Sequence, residues 1–511
     1  QAMSELLRVH VSLLSGRSAS LSVECRETVR QLRGEVQKSL GLSSACLSLL
    51  SESGNCLDPN QTLQEAGLQD GQSLTTVLHR PQLAATLGAF TLWWEGAEEL
   101  VVWGEGFDLA VKELPEAVRQ LRGGGHAFAA LTDDRCICWG NQRLGGGFAS
   151  HLQQVSRVQG TDAAFAAIWG DGKVISWGSR HSGGDSSQVQ EQLVDVQELQ
   201  ATDSAFVAIR ADRTVVAWGD ASAGGDCSRV QDQLVKVAAV QATDAAFAAI
   251  LEDGGVVAWG LQSSGGNCGR VQDQLRNVRK IQATQCAFAA INSEGGVVTW
   301  GLRQLGGDNS EVSDQLRNVE DVQATSGAFA AILADGQLVT WGHTDKGGDS
   351  SCVRDQLQGV QRVQATHSAF AAILEDQTVV AWGDPSAGGD CGSVQAQLHS
   401  IQHIQSTTRA FAAIRSDGQV VAWGDPAAGG DCKVQEHLKN VQQIQATDAA
   451  FAAILADGTV VAWGDPEKGG CPAFPNGDQE PSAGHCGGKR ARERGQPSIA
   501  HVHHNGTTVS L

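Results

Sequence analysis

The chain of 511 residues contains no tyrosine and only ten prolines. No apolar stretch approaches the roughly 18 residues that a membrane-crossing helix needs. No basic segment followed by an apolar run opens the sequence, so no secretory leader is read there. Asn60-Gln61-Thr62 and Asn505-Gly506-Thr507 fit the glycosylation triplet, but without a leader both are read as chance. The thirteen cysteines are scattered and show no doubled Cys-x-x-Cys spacing, which argues against a zinc framework. Cys136 and Cys138 share one face of a strand pattern and are read as buried thiols in a reducing compartment. Catalytic signatures are missing as well: there is no nucleophile elbow, phosphate loop, His-Glu-x-x-His pair or kinase set. The expectation is therefore no enzyme, no cofactor and no metal.

Positive charge is also short. Lys and Arg number 37 against 57 Asp and Glu, a net charge of −20. Residues 1–80 carry seven basic against eight acidic side chains, and residues 471–511 carry four against three. Essentially all of the excess lies between them. Such a surface repels phosphate backbones and anionic lipid, so nucleic acid and membrane are poor partners.

Glycine is plentiful, at 61 residues, which suits a chain full of tight turns. The reason is a repeat. A phenylalanine recurs at Phe90, Phe128, Phe165, Phe206, Phe247, Phe288, Phe329, Phe370, Phe411 and Phe451. A Trp-Gly pair follows each one, from Trp103 to Trp463. Between Phe165 and Phe411 every step is 41 residues. Ten copies at a near-constant period mean a repeat architecture, with the irregular first copies as a cap.

Each copy reads as a short apolar strand ("AFAAIL"), a turn ("ADG"), and a β-rich strand ("TVVAWG"). A glycine loop such as "DPSAGGDCGS" comes next, with Gly388-Gly389 supplying positive φ. Val271, Leu275, Val278 and Ile281 then suggest a helical turn running into a third strand. Copies with Asp212-Arg213 and Asp376-Gln377 lack the turn glycine and are expected to turn differently. One unit cannot bury both faces, so Phe and Trp are read as packing between stacked neighbours. The aspartate after the glycine pair (Asp185, Asp226, Asp308, Asp349, Asp390, Asp431) offers one carboxylate per loop. That is too few for calcium, and a local turn bond is expected instead.

The word V-x-x-L-x-x-V-x-x-I-x-A-x-x-x-x-F-A-x-x-x-x-G-x-V-x-x-W-G resembles the repeats of the regulator of chromosome condensation family, which form β-propeller blades. The resemblance covers residues 85–470. Gly125-His126 and "NQRLGGG" at 141–147 come nearest to the family's own wording, and later copies depart from it. Family members with seven blades close into one ring; ten copies imply a larger ring, a ring with extra copies, or an open β-superhelix.

Residues 1–80 differ in kind. Val9, Val11 and Leu13 alternate, Ser15-Gly16 turns, and Ala19, Leu21 and Val23 alternate again. Thr28 can cap a helix with Val29, Leu32, Val36 and Leu40 on one face, and "CLSLL" and "SLTTVL" read as two more strands. The order is that of a β-grasp and resembles ubiquitin along its length. The strand runs on through Leu78-His79-Arg80-Pro81 without a terminal diglycine, and Lys38 is the module's one lysine. The resemblance therefore implies an integral ubiquitin-like domain. It places ubiquitin's apolar patch on Leu14, Leu50 and Val77, with the inward neighbour of Leu50 as an alternative alignment.

Residues 471–511, rich in proline, glycine and polar residues, read as a disordered tail. "KRARER" at 489–494 reads as a solvated charge run or a nuclear import signal, and His501, His503 and His504 lack a metal-site spacing. The fold class expected is mainly β: a ubiquitin-like β-grasp at 1–80, a ten-repeat array at 85–470, and a tail. The function expected is a non-enzymatic interaction scaffold in the cytoplasm, with the nucleus as alternative. Its partners would be other proteins, basic ones or members of the ubiquitin pathway, with no small-molecule substrate. Two alternatives stand beside it: an adaptor or subunit in a ubiquitin-ligase pathway, and a guanine-nucleotide exchange factor for a small GTPase.

Overall fold

A computed structural model describes residues 6–470, apart from 14–15, 41–46, 60, 80, 95–96, 133–135, 148, 151–154 and 432–434. The tail, with its basic run and histidines, lies outside the described residues.

The first module contains β1 (Leu6–Leu13), β2 (Ser18–Glu24), α1 (Val29–Leu40), β3 (Leu47–Leu50) and β4 (Gln72–Leu78). They form one sheet in the order β2-β1-β4-β3, with β1 and β4 parallel. The helix starts where the sequence indicates. Thr28 Oγ1 accepts from the Gln31 backbone N–H at 3.3 Å, and Gln31 Oε1 accepts from the Thr28 N–H at 2.8 Å, a reciprocal cap. Its buried residues are Val29, Leu32, Val36 and Leu40, which pack on Val9, Val11, Leu49 and Leu74 of the sheet.

From Gln82 to Gly464 the chain forms ten antiparallel sheets. The first two have four strands each, and the next eight have three. In the fifth the inner strand is Val237–Ala242, the middle Ala246–Leu251 and the outer Val256–Gly260. Middle strands are buried on both faces, since each sheet is covered by a neighbour on either side. This is why "AFAAI" reads as a continuous apolar run rather than an alternation. Ala is favoured where two sheets approach closely, and the large ring is confined to one Phe per strand. Each Phe stacks on the Trp of its own outer strand, as in Phe288 and Trp300, whose centroids are 5.1 Å apart.

The tenth sheet (Val441–Ala446, Ala450–Leu455, Val460–Gly464) packs against the first. Ala450, Ala452 and Ile454 share one core with Leu83, Phe90 and Trp103. The order of contacts is therefore circular, and the open-superhelix alternative does not describe this chain. Every sheet is made from one contiguous stretch, and among the described residues no strand is exchanged to close the circle.

Three expectations need correction. The helical segment after the glycine loop is a 3-10 turn of three residues, Gln272–Gln274 in the fifth copy. Only the first glycine of each pair has positive φ: Gly388 stands at +93°. The second is required by space, because a Cβ on Gly389 would sit 2.4 Å from the Gly383 carbonyl oxygen. Lastly, the copies without a turn glycine make the same turn. Arg213 and Gln377 adopt φ of 64° and 63° in it. A threonine supplies the compensation: Asp212 Oδ1 accepts from the Thr214 N–H at 3.0 Å and hydroxyl at 2.6 Å, and Asp376 does the same with Thr378.

Candidate protein-interaction surfaces

One side of the circle carries two sets of loops. The inner set is the turn between inner and middle strands, such as Thr202-Asp203-Ser204. The second set follows Trp-Gly, such as Asp220–Gly224. A threonine ties the two together. Thr202 Oγ1 accepts from the Ala205 N–H at 3.0 Å and donates to the Ala223 carbonyl at 3.1 Å. Thr243, Thr284, Thr325, Thr366, Thr407 and Thr447 repeat the arrangement. The threonine of the repeat word "IQAT" is thus a fixture of this face.

The inner turns are joined to one another around the circle. The Asp203 N–H donates to the Asp244 carbonyl at 3.1 Å, Asp244 to Gln285 at 3.1 Å, and Gln285 to Ser326 at 3.1 Å. Ser326, His367 and Thr408 pass the bond on to Asp448, Asp448 donates to Leu87 at 2.9 Å, and Leu87 to Gly125 at 3.1 Å. Gly125 abuts the Asp162 carbonyl, where a Cβ would be 2.4 Å away. Asp162 donates back to Asp203 at 3.1 Å. One backbone position per sheet therefore lines a closed collar.

Four collar positions are aspartates, and three are consecutive: Asp162, Asp203 and Asp244. Burial raises the Asp203 pKa to about 8, with the charges of Asp244 and Asp162 adding to it. Burial also raises Asp448, to about 7, against the opposing pull of Lys468. Lys346 reaches from the seventh sheet's loop to Ser326 Oγ at 2.5 Å and to His367 Nε2 at 3.2 Å.

The second set of loops is where the copies differ. Each opens a 3-10 turn whose first residue has extended backbone. Asp220, Asp384, Asp425, Asp465 and Asn141 cap that turn by accepting from the N–H two residues on, as Asp384 Oδ1 does from Ser386 at 2.8 Å. Leu261, Leu302 and His343 occupy the same place in three successive sheets and make no cap. The aspartate after the glycine pair does what was expected: Asp390 Oδ1 accepts from the Gly392 N–H at 2.8 Å. Among the described residues no group of three or more His, Cys, Asp or Glu converges as a metal site. Cys136 and Cys138 are buried, and burial pushes the thiols of Cys227, Cys268 and Cys391 up.

On the first module Leu50 and Val77 lie half-buried on the outer face of the sheet, while Leu49 and Leu74 point into the core. The outward register of Leu50, and not its inward neighbour, is therefore the one that joins Val77. Leu14 lies outside the described residues. Ser48, directly across from Val77, hydrogen-bonds His79 at 2.8 Å, and the His79 ring stacks on Trp94 of the first sheet at 6.1 Å.

The collar and the substituted caps escaped the sequence reading. Aligning the single column after Trp-Gly, which runs Ser, Asp, Leu, Leu, His, Asp, Asp, Asp from the third copy on, would have exposed the second. The first required knowing that the turns meet.

Residues 9–81 match the model of the ubiquitin family. No curated protein matches the chain. Among solved structures, the computationally designed Ika8 protein is 15% identical, covering 61% of this chain and 96% of its own, with a TM-score of 0.29. The ectodomain of the receptor kinase CR4 from Physcomitrella patens is 16% identical over 57% of this chain and 77% of its own, with a TM-score of 0.31. Ubiquitin from Caldiarchaeum subterraneum is 21% identical over 14% of this chain and 94% of its own, with a TM-score of 0.14. The first module is thus a ubiquitin-like domain, and the described residues from 82 to 464 form a repeat-rich β structure. Among the described residues no helix is long and apolar enough to cross a membrane.

Proposed function

We propose that the chain is a non-enzymatic interaction scaffold: a ten-bladed β-propeller of the regulator-of-chromosome-condensation type, carrying a ubiquitin-like recruitment module. The observation that supports this reading is the division of labour inside each repeat. Strand residues, threonine, tryptophan and the glycine pair are held constant by packing and hydrogen bonds between neighbours. The residues following Trp-Gly vary from copy to copy on one exposed side, and on such a frame variable loops carry recognition. The acidic excess favours basic protein partners, in the cytoplasm or nucleus. A role as adaptor in a ubiquitin pathway is favoured by the match of residues 9–81, since a ubiquitin-like fold continuous with the next domain recruits rather than conjugates.

Immobilised full-length protein should retain, from a cell lysate at moderate salt, proteins that a variant with exchanged loops does not. Recovery of the same proteins, or only chaperones, on both would overturn the scaffold reading. Incubation with ubiquitin-activating and ubiquitin-conjugating enzymes should leave no reducible ubiquitin adduct on this chain. An adduct would make it an enzyme.

A further inference from the structure

The column after Trp-Gly carries leucine at two adjacent positions. Five loops place Asp or Asn there and gain a side-chain cap. The fifth and sixth sheets place Leu261 and Leu302 there, which are 43% and 38% exposed. Few large apolar side chains are this exposed among the described residues: Leu6, Leu78 and Val235 are the others, and those three are at unrelated positions. Substituting leucine gives up a cap and exposes apolar surface, so both terms oppose it. Single exposed leucines are ordinary; two at the same place on neighbouring sheets are not.

The surroundings define what could cover them. The Leu261 N–H donates to the Ala245 carbonyl at 2.8 Å, which places Leu261 beside Asp244 on the collar. Asp203 follows on the next sheet. The Leu302 N–H donates in the same way to Cys286, next to Gln285. The neighbouring cation Arg303 is held by Asp308 at 2.7 Å. An apolar pair therefore stands on a frame with a large acidic excess.

We infer that Leu261 and Leu302 form the apolar anchor of a docking surface for a protein segment that presents leucine-like side chains flanked by lysine or arginine. The apolar side chains would cover the two leucines, and the cations would be drawn to the acidic frame around them. This rests on the scaffold reading and names the chemistry of its partner.

The test turns on restoring the repeat's own residue. Leu261→Asp with Leu302→Asp returns both caps and adds two carboxylates to an acidic face. A partner held by charge alone should bind this variant more tightly, whereas a partner anchored on the leucines should bind it more weakly. The probe is a short fluorescein-labelled peptide with two leucines set among lysines and arginines, titrated against the full chain by anisotropy. Binding is expected to weaken at least tenfold in the double variant, while its melting temperature holds or rises. The same peptide with serines in place of leucines, or glutamates in place of the cations, should bind at least tenfold more weakly to the unaltered chain. Absence of binding by the leucine peptide, equal or tighter binding to the double variant, or equal binding of the serine peptide would overturn the inference. If lysate proteins still depend on the exchanged loops while the peptide fails, this partner chemistry fails and the scaffold reading stands.

Discussion

The indole N–H of Trp103 donates a hydrogen bond of 3.0 Å to the carbonyl of Gly469, 366 residues later in the chain. The same bond joins Trp218 to Gly183, Trp300 to Gly265 and Trp382 to Gly347, each between consecutive sheets. The closing junction therefore carries the same tryptophan bond as these internal ones. It differs in that no peptide bond backs it and in the ion pair of Lys468 Nζ with Glu105 Oε2, at 2.6 Å, that spans it.

That difference can be measured. Gly469 has φ of +93°, and a Cβ there would lie 2.7 Å from Phe90 Cδ2. Gly306 has φ of +96°, with Phe329 Cδ2 at 2.5 Å. Alanine at either site should cost about 1–3 kcal/mol through overpacking. Only Gly469→Ala should let the circle open, seen as a larger radius of gyration by small-angle scattering below the melting transition. Equal radii for the two variants would contradict closure at this junction.

Trp300 is 4% exposed and fills the contact between the fifth and sixth sheets. Trp300→Ala should cost about 3–5 kcal/mol through the cavity it leaves. Trp300→Phe should cost less, because ring packing survives while the bond to Gly265 is lost. Urea titration of both variants orders the two contributions.

Exchanging residues 302–310 for 220–228 replaces an uncapped loop with a capped one on the same backbone course. Stability should change by no more than about 1 kcal/mol, as for other surface changes. Unfolding of this variant, with Trp300→Ala remaining folded, would reverse the division between constant frame and variable face.

The collar should make stability depend on pH. Asp203 in the folded chain has a pKa of about 8, above its ordinary value of 3.8. The folded state therefore keeps a proton that the unfolded state releases, and stability falls as pH rises from about 4 to about 8. Asp203→Asn removes that loss. Its melting temperature should match the parent near pH 4 and exceed it increasingly up to pH 8.5. A constant difference across the range would assign the effect to packing instead.

His79 works in the opposite sense. Burial, helped by the charge of Arg33, lowers its pKa, so the folded state favours the neutral ring. The contribution of the Ser48–His79–Trp94 stack is present above pH 6.5 and is lost as pH falls through the lowered value. Protection factors for hydrogen exchange across residues 72–94, taken relative to the intrinsic rate at each pH, should be lower at pH 5 than at pH 7.5, and His79→Ala should flatten that response.

Much of this was legible in the sequence because the repeat states its rules many times. The strands, the burial of Phe and Trp, and the turn aspartates follow from period and residue type. The β-grasp followed from Val9, Val11 and Leu13 and from the helix face at Val29, Leu32, Val36 and Leu40. What escaped was relational. Arg213 and Gln377 look like a different turn until Thr214 and Thr378 are seen bonded to the preceding aspartates. Asp162, Asp203 and Asp244 are 41 residues apart in sequence and become neighbours only when their sheets do. Register also decided Leu50, since one residue separates the inward from the outward side of a strand.

The direction of the first inner strand has a spatial consequence. Gln82–Ala85 runs toward Thr86-Leu87-Gly88, which belongs to the collar. Its start, where the ubiquitin-like domain attaches, is at the other end. Strands of about six residues span roughly 20 Å. The module at 6–79 and the variable loops thus stand on opposite faces of a slab about that thick. Two bodies gripped at once would be held on opposite faces of that slab.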